Sequence, residues 1–176
     1  MCGVAGIVNI NGELVSPNLL KNMSDSLEHR GPDGEGQWIE KNIGIAHRRL
    51  KIIDLSEAGH QPMISYNKRY IISYNGEIYN YKDIRKELEA EGVQFKSNTD
   101  TEVVLNALAL WGKKSLLKFN GMFALSFFDR KQKILLLARD RYGIKPLYYA
   151  KQGDLFSFAS ENKAILSLPD FQKKLN

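Results

Sequence analysis

A single cysteine stands among 176 residues, so no intramolecular disulfide can form and a zinc site built on thiolates is excluded. Histidine is nearly as scarce. His29, His47 and His60 lack the short spacing and carboxylate partners of a metal motif, and no metal is expected. No run approaches the roughly 18 apolar residues of a membrane-spanning helix; the longest apolar stretches, 122–128 and 134–138, have strand length. The N-terminus carries no basic region ahead of an apolar one, so no secretory signal is expected. Position 2 is Cys rather than Gly, which removes a myristoylation signature. A cytoplasmic location is the simplest expectation. Glycine-rich phosphate cradles are also missing. Nor is the positive charge concentrated: a net +5 and a pI of about 9.2 come from scattered basic residues, which read as solvated surface rather than a nucleic-acid face.

What is present suits one soluble domain: 43% hydrophobic and 26% charged residues, long enough to bury a sizeable core. Residues 4–10 are apolar and β-branched up to the Asn11-Gly12 turn signal. Ser16-Pro17 predicts an N-cap with Pro at the first helical position, opening a helix through Leu27 that Gly31-Pro32-Asp33-Gly34 breaks. Strands are expected at 37–40, 43–47, 50–54 and 70–74. Residues 80–91 have helical periodicity, and Thr99-x-x-Glu102 is a capping box opening a second helix to Trp111. Strands return at 122–129, 134–138, 147–150 and 155–159. Helices grouped between hairpinning strands predict an α+β domain with antiparallel sheets.

The cysteine is Cys2, directly behind Met1. A thiolate is a strong nucleophile, and an α-amino group has a reference pKa of about 7.7–8.0. Removal of Met1 would therefore place a nucleophile and a general base on one residue. Taken alone, Cys2 reads more simply as part of a frayed terminus. Asn75-Gly76 offers a side-chain NH₂ beside a backbone N–H, the makings of an oxyanion hole, but Asn-Gly is also a hairpin turn signal. Arg49 is either a carboxylate fork or a surface cation of the 47–49 basic triplet. Asp100 lies in the capping box and serves at least the helix start. Arg30, Asp33 and the glycines around them read as a tight loop with Arg30 paired internally.

Nine segments in order resemble the class II glutamine amidotransferase domain, as found in asparagine synthetases. They are Met-Cys-Gly-Val-Ala-Gly-Ile (1–7), Arg-Gly-Pro-Asp-Gly (30–34), His-Arg-Arg-Leu-Lys-Ile-Ile-Asp (47–54) and Gly-His-Gln-Pro-Met (59–63), then Tyr-Asn-Gly-Glu-Ile-Tyr-Asn (74–80) and Ser-Asn-Thr-Asp-Thr-Glu (97–102). Gly-Met-Phe-Ala (121–124), Ala-Arg-Asp-Arg-Tyr-Gly-Ile-Lys-Pro-Leu-Tyr-Tyr (138–149) and Ala-Ser-Glu-x-Lys-Ala (159–164) complete the set. The resemblance covers residues 1–168 and leaves 169–176 as a tail or the start of a linker to a synthetase domain. It implies an N-terminal-nucleophile hydrolase fold, a four-layer αββα sandwich.

It also implies hydrolysis of L-glutamine to L-glutamate and ammonia through a Cys2 thioester. Asn75 and Gly76 would form the oxyanion hole and Arg49 would grip the α-carboxylate. Asp100, assisted by Glu77, would hold the ammonium, and Leu50, Ile52 and Ile53 would line the pocket. Lys51 departs from the small residue usual at its position. No cofactor is expected for this half-reaction. ATP and magnesium belong to the synthetase domain, whose Ser-Gly-Gly-x-Asp-Ser loop this chain lacks, so the partner is a synthetase domain or subunit that accepts ammonia. Homodimerisation, a catalytically idle glutamine-binding module and a Cys2-based redox or acylation site remain alternatives.

Overall fold

The computed structural model describes residues 1–51, 59–169 and 171. Nine strands form two sheets. The first has the order β2 (Gly34–Glu40), β3 (Ile43–Arg49), β1 (Gly3–Asn9), β9 (Leu155–Ala159), β8 (Tyr148–Gln152). The second runs β4 (Met63–Ile64), β5 (Tyr70–Ile78), β6 (Gly121–Asp129), β7 (Ile134–Arg139). Every pairing between these strands is antiparallel.

Strand alternation sorts the side chains into three buried layers. Ala5 and Ile7 of β1 pack with Leu20 and Met23 of α1 (Pro17–Asp25) and Ile165 of α4 (Asn162–Leu166). Val4, Ile43, Ile45, Ile71, Phe128 and Phe158 face the opposite way and fill the space between the sheets. Ile72, Tyr74 and Leu125 meet α2 (Tyr81–Ala90) and α3 (Asp100–Trp111) on the far side. The result is the expected αββα sandwich.

The helix starts divide in their chemistry. Thr99 caps α3 as expected, its Oγ1 accepting from Glu102 N at 3.2 Å. Glu102 does not complete the box; its carboxylate takes the N–H groups of Lys96 and Ser97 instead. Ser16 stands at the N-cap of α1 with Pro17 next, but its hydroxyl makes no capping bond. The strand expected at 50–54 is not seen where it can be checked: Leu50 and Lys51 are non-strand, and 52–54 lie outside the described residues. The reason is register. The β3 ladders end with Gly3 opposite Arg48 and Gly34 opposite Arg49, so among the described residues no strand pairs with Leu50 or Lys51.

Candidate functional site

Parity decides what meets at one end of the sandwich. His47, Ile45 and Ile43 point between the sheets, so Arg49, two residues beyond His47, starts from the same face. Cys2 precedes Val4 by two and shares its side of β1. From the other sheet, Asn75 follows Ile71 and Ser73 on the facing side of β5. Cys2, Arg49, Asn75, Gly76, Glu77 and Asp100 all line one pocket, and Leu50 lines it with them. Ile52 and Ile53 lie outside the described residues.

Cys2 is held from both sides. Its Sγ accepts from Leu50 N at 3.3 Å and lies 3.6 Å from Leu50 O. Arg30 Nε donates to Cys2 O at 3.0 Å, and Arg30 is itself paired with Glu161 at 2.8 Å. The expected internal pairing of Arg30 is therefore present, and it anchors the nucleophile's backbone. Asp33 Oδ2 accepts from Lys51 N at 2.9 Å just beyond β3. Burial pushes the Cys2 thiol above its ordinary value. The Leu50 hydrogen bond, the chain's amino terminus, Arg49 and Lys145 pull in the opposite direction.

Asn75-Gly76 is not a turn; it lies inside β5. Asn75 is 2% exposed, and its Nδ2 has no hydrogen-bond partner among the described residues. A buried amide donor left unpaired costs about 1–3 kcal/mol, so this one is placed for something that arrives. The backbone of Gly76 tells a parallel story. Opposite it stands Phe123, whose N–H and C=O are both taken by Asp140 on the other side of β6. Gly76 therefore points its own N–H away from β6, because donor and acceptor of one strand residue face the same way. On that side Tyr74 N is satisfied by Gln61 Oε1 at 2.7 Å and Ile78 N by Asp100 Oδ2 at 3.2 Å. Gly76 N falls between them, facing the pocket. The glycine is needed for a reason other than room for a ligand: a Cβ there would sit 2.5 Å from Met122 O and 2.8 Å from Phe123 Cα. The close approach is to β6.

Asp100 is 5% exposed and accepts from the Tyr74 hydroxyl at 2.7 Å. Burial raises its carboxyl above the ordinary range, the bonds from Tyr74, Ile78 and Thr101 oppose the rise, and Glu77 adds to it. The Tyr74 phenol is held well above its usual value by burial and by Asp100, so it remains a donor. The arrangement suits a cation: an ammonium beside Asp100 and Glu77 would offset both the burial and the repulsion.

Three residues carry parts of the site that motif reading left without a role. Gln61 clasps β5 by its side chain, taking Tyr74 N and giving Nε2 to Tyr74 O at 3.1 Å. It thereby replaces a missing strand where β4 has ended. Gly59 leaves space for the Arg49 guanidinium, since a Cβ would come 2.1 Å from Nη2. Lys145 enters from the 140–145 loop. All three fall within motif segments, which is the signal that could have found them. Among the described residues no cluster of His, Cys, Asp or Glu could hold a metal ion, and no helix is long and apolar enough to cross a membrane.

A family model described as a glutamine amidotransferase domain matches residues 1–176. The chain belongs to that family. Among curated relatives, glutamine-hydrolysing asparagine synthetase 3 of Bacillus subtilis is 42% identical over 179 residues, covering 100% of this chain and 29% of that protein. A putative glutamine-hydrolysing asparagine synthetase 2 of Methanocaldococcus jannaschii is 40% identical, covering 100% and 37%. The chain thus spans about a third of the length of these relatives. In fold it resembles the glutamine phosphoribosylpyrophosphate amidotransferase of Bacillus subtilis, solved with ADP and GMP, with a TM-score of 0.79 at 23% identity, covering 94% of this chain and 43% of that one. That likeness supports the fold, a sandwich of two antiparallel sheets.

Proposed function

We propose that this amidotransferase domain hydrolyses the side-chain amide of L-glutamine to L-glutamate and ammonia. The observation that carries the reading is the unpaired, buried Asn75 Nδ2 in the same pocket as the Cys2 sulfur. With Met1 removed, the free α-amine of Cys2 takes the thiol proton through water, and the thiolate attacks the amide carbon. Asn75 Nδ2–H and Gly76 N–H receive the oxyanion. As the C–N bond breaks, the same proton leaves with the nitrogen as ammonia and a Cys2 thioester remains, which water resolves to glutamate. Arg49 takes the substrate's α-carboxylate, while Asp100 and Glu77 take its ammonium. Met1 itself lines the pocket, so its loss both frees the amine and clears space beside the sulfur.

In this reading no cofactor serves the glutaminase step. Residues 1–168 form the glutaminase domain and 169–176 a tail or the start of a linker to a synthetase domain. The ammonia passes to an ATP-dependent amidation such as asparagine synthesis, on a synthetase domain or subunit, in the cytoplasm. Support for the acceptor comes from the asparagine synthetases among the relatives, of which this chain matches about a third. The test is turnover by chain shown by intact mass to lack Met1. Glutamate and ammonia should form in equal amounts, and Met1-retaining chain should form neither. Equal turnover with Met1 attached, or none from folded Met1-free chain, contradicts the reading.

A further inference from the structure

Lys145 is 8% exposed, and among the described residues no carboxylate forms an ion pair with its ammonium. Buried lysines are rare unless paired, because an unpaired charge out of water is costly. This one lines the pocket that holds the Cys2 sulfur. Nor is it there through loose packing. Asp140 accepts from Lys145 N at 3.0 Å, Ile144 N at 2.9 Å, Tyr142 N at 3.1 Å and Phe123 N at 3.2 Å. Arg139 Nε closes the loop on Lys145 O at 2.8 Å. One carboxylate thus fixes the lysine backbone and the strand residue opposite Gly76, so the cation and the proposed oxyanion donors share a single mount.

We infer that Lys145 is a further catalytic residue, whose ammonium is the counter-charge to the Cys2 thiolate and to the negative charge that develops during attack on the amide. The inference rests on the glutaminase reading for the second of those roles only; the first concerns the free enzyme. Glu77 and Asp100 face the same pocket, but Asp100 is engaged by Tyr74 and Ile78, and neither pairs with Lys145. The electrostatic influence of Lys145 on Cys2 favours the thiolate, as the geometry requires.

The chain has one cysteine, so alkylation by neutral iodoacetamide reports on Cys2 alone. Its rate across pH, without glutamine, is compared in Met1-free wild type, Lys145→Met and Lys145→Arg. Lys145→Met should alkylate about tenfold more slowly at neutral pH, the effect of removing a counter-ion from the same pocket at intermediate dielectric. Lys145→Arg should restore most of the rate. Lys145→Gln serves in place of Lys145→Met should the latter fail to fold. Unchanged alkylation overturns the inference. If that came with a raised KM for glutamine, the lysine would be a substrate-carboxylate ligand instead. A chain that shows the alkylation dependence but no glutaminase activity would overturn the functional reading while leaving the Lys145–Cys2 pair in place.

Discussion

Two buried aspartates flank the pocket, Asp100 at the start of α3 and Asp140 in the loop after β7, with 5% and 6% exposure. They differ in what surrounds the carboxylate. Asp140 collects four backbone N–H groups, and although burial pushes its carboxyl up, the bonds from Lys145, Ile144, Phe123 and Tyr142 outweigh it and hold it below the ordinary range. Asp100 receives fewer donors, faces Glu77 as well, and is raised by its burial. A saturated carboxylate stabilises the chain around it. An under-satisfied one at a pocket wall keeps capacity for a ligand.

The comparison breaks first on Asp100→Asn. The amide oxygen still accepts from Tyr74 and Ile78, so the fold should persist, while kcat/KM for glutamine falls roughly 100-fold, about 2.7 kcal/mol, through loss of the charge on the substrate ammonium. Steady-state kinetics decide it, and an unchanged KM removes Asp100 from the clamp. The stability sign should run the other way. A carboxyl raised by folding binds its proton more tightly in the native state, so it loses stability as pH rises through its range. Asp100→Asn should therefore be no less stable than wild type at neutral pH.

Asp140→Ala should behave oppositely. Four N–H groups lose their acceptor, for a cost of about 2–4 kcal/mol and a melting temperature lower by roughly 5–15 °C. Because folding lowers this carboxyl, its contribution is present above the ordinary carboxylate range and is lost as pH falls through it. Thermal melts at pH 7 and in acid should show the variant's deficit shrinking on acidification. A constant deficit would mean that the loop is held by packing alone.

A third effect is on pH slope. Burial, and then Arg49 and His60, lower the His47 pKa to about 3, with Nε2 unpartnered. Below its unfolded value near 6.5 the unfolded chain takes up a proton that the native state refuses, so stability is lost as pH falls from about 6.5 toward 3. The loss is at most about 1.4 kcal/mol per pH unit. Denaturant titrations of His47→Gln should show that slope reduced across the same window; an identical slope would place the acid sensitivity elsewhere.

Most elements were legible because their signals are local: an apolar, β-branched run in β1, an apolar stretch in β6, the Thr99 cap, and Pro17 at the head of α1. Non-local signals were harder. Asn75-Gly76 has the letters of a turn, and only its ladder to Ala124 and Phe123 makes it a strand with one donor freed. The bare Cα of Gly76 relieves a contact with β6, which no motif encodes. Gln61 plays the part of a strand with a side chain, which no periodicity encodes. Lys145 looks like any surface lysine until a buried carboxylate five residues earlier turns it inward.

The most direct measurement is covalent capture by an electrophilic glutamine analogue on folded, Met1-free chain, read by peptide mass spectrometry. One equivalent should add to the Cys2 sulfur, glutamine should protect it, and Asn75→Ala should slow the reaction with little change in glutamine affinity. Label on another residue, or a rate indifferent to glutamine and to Asn75, would contradict the account.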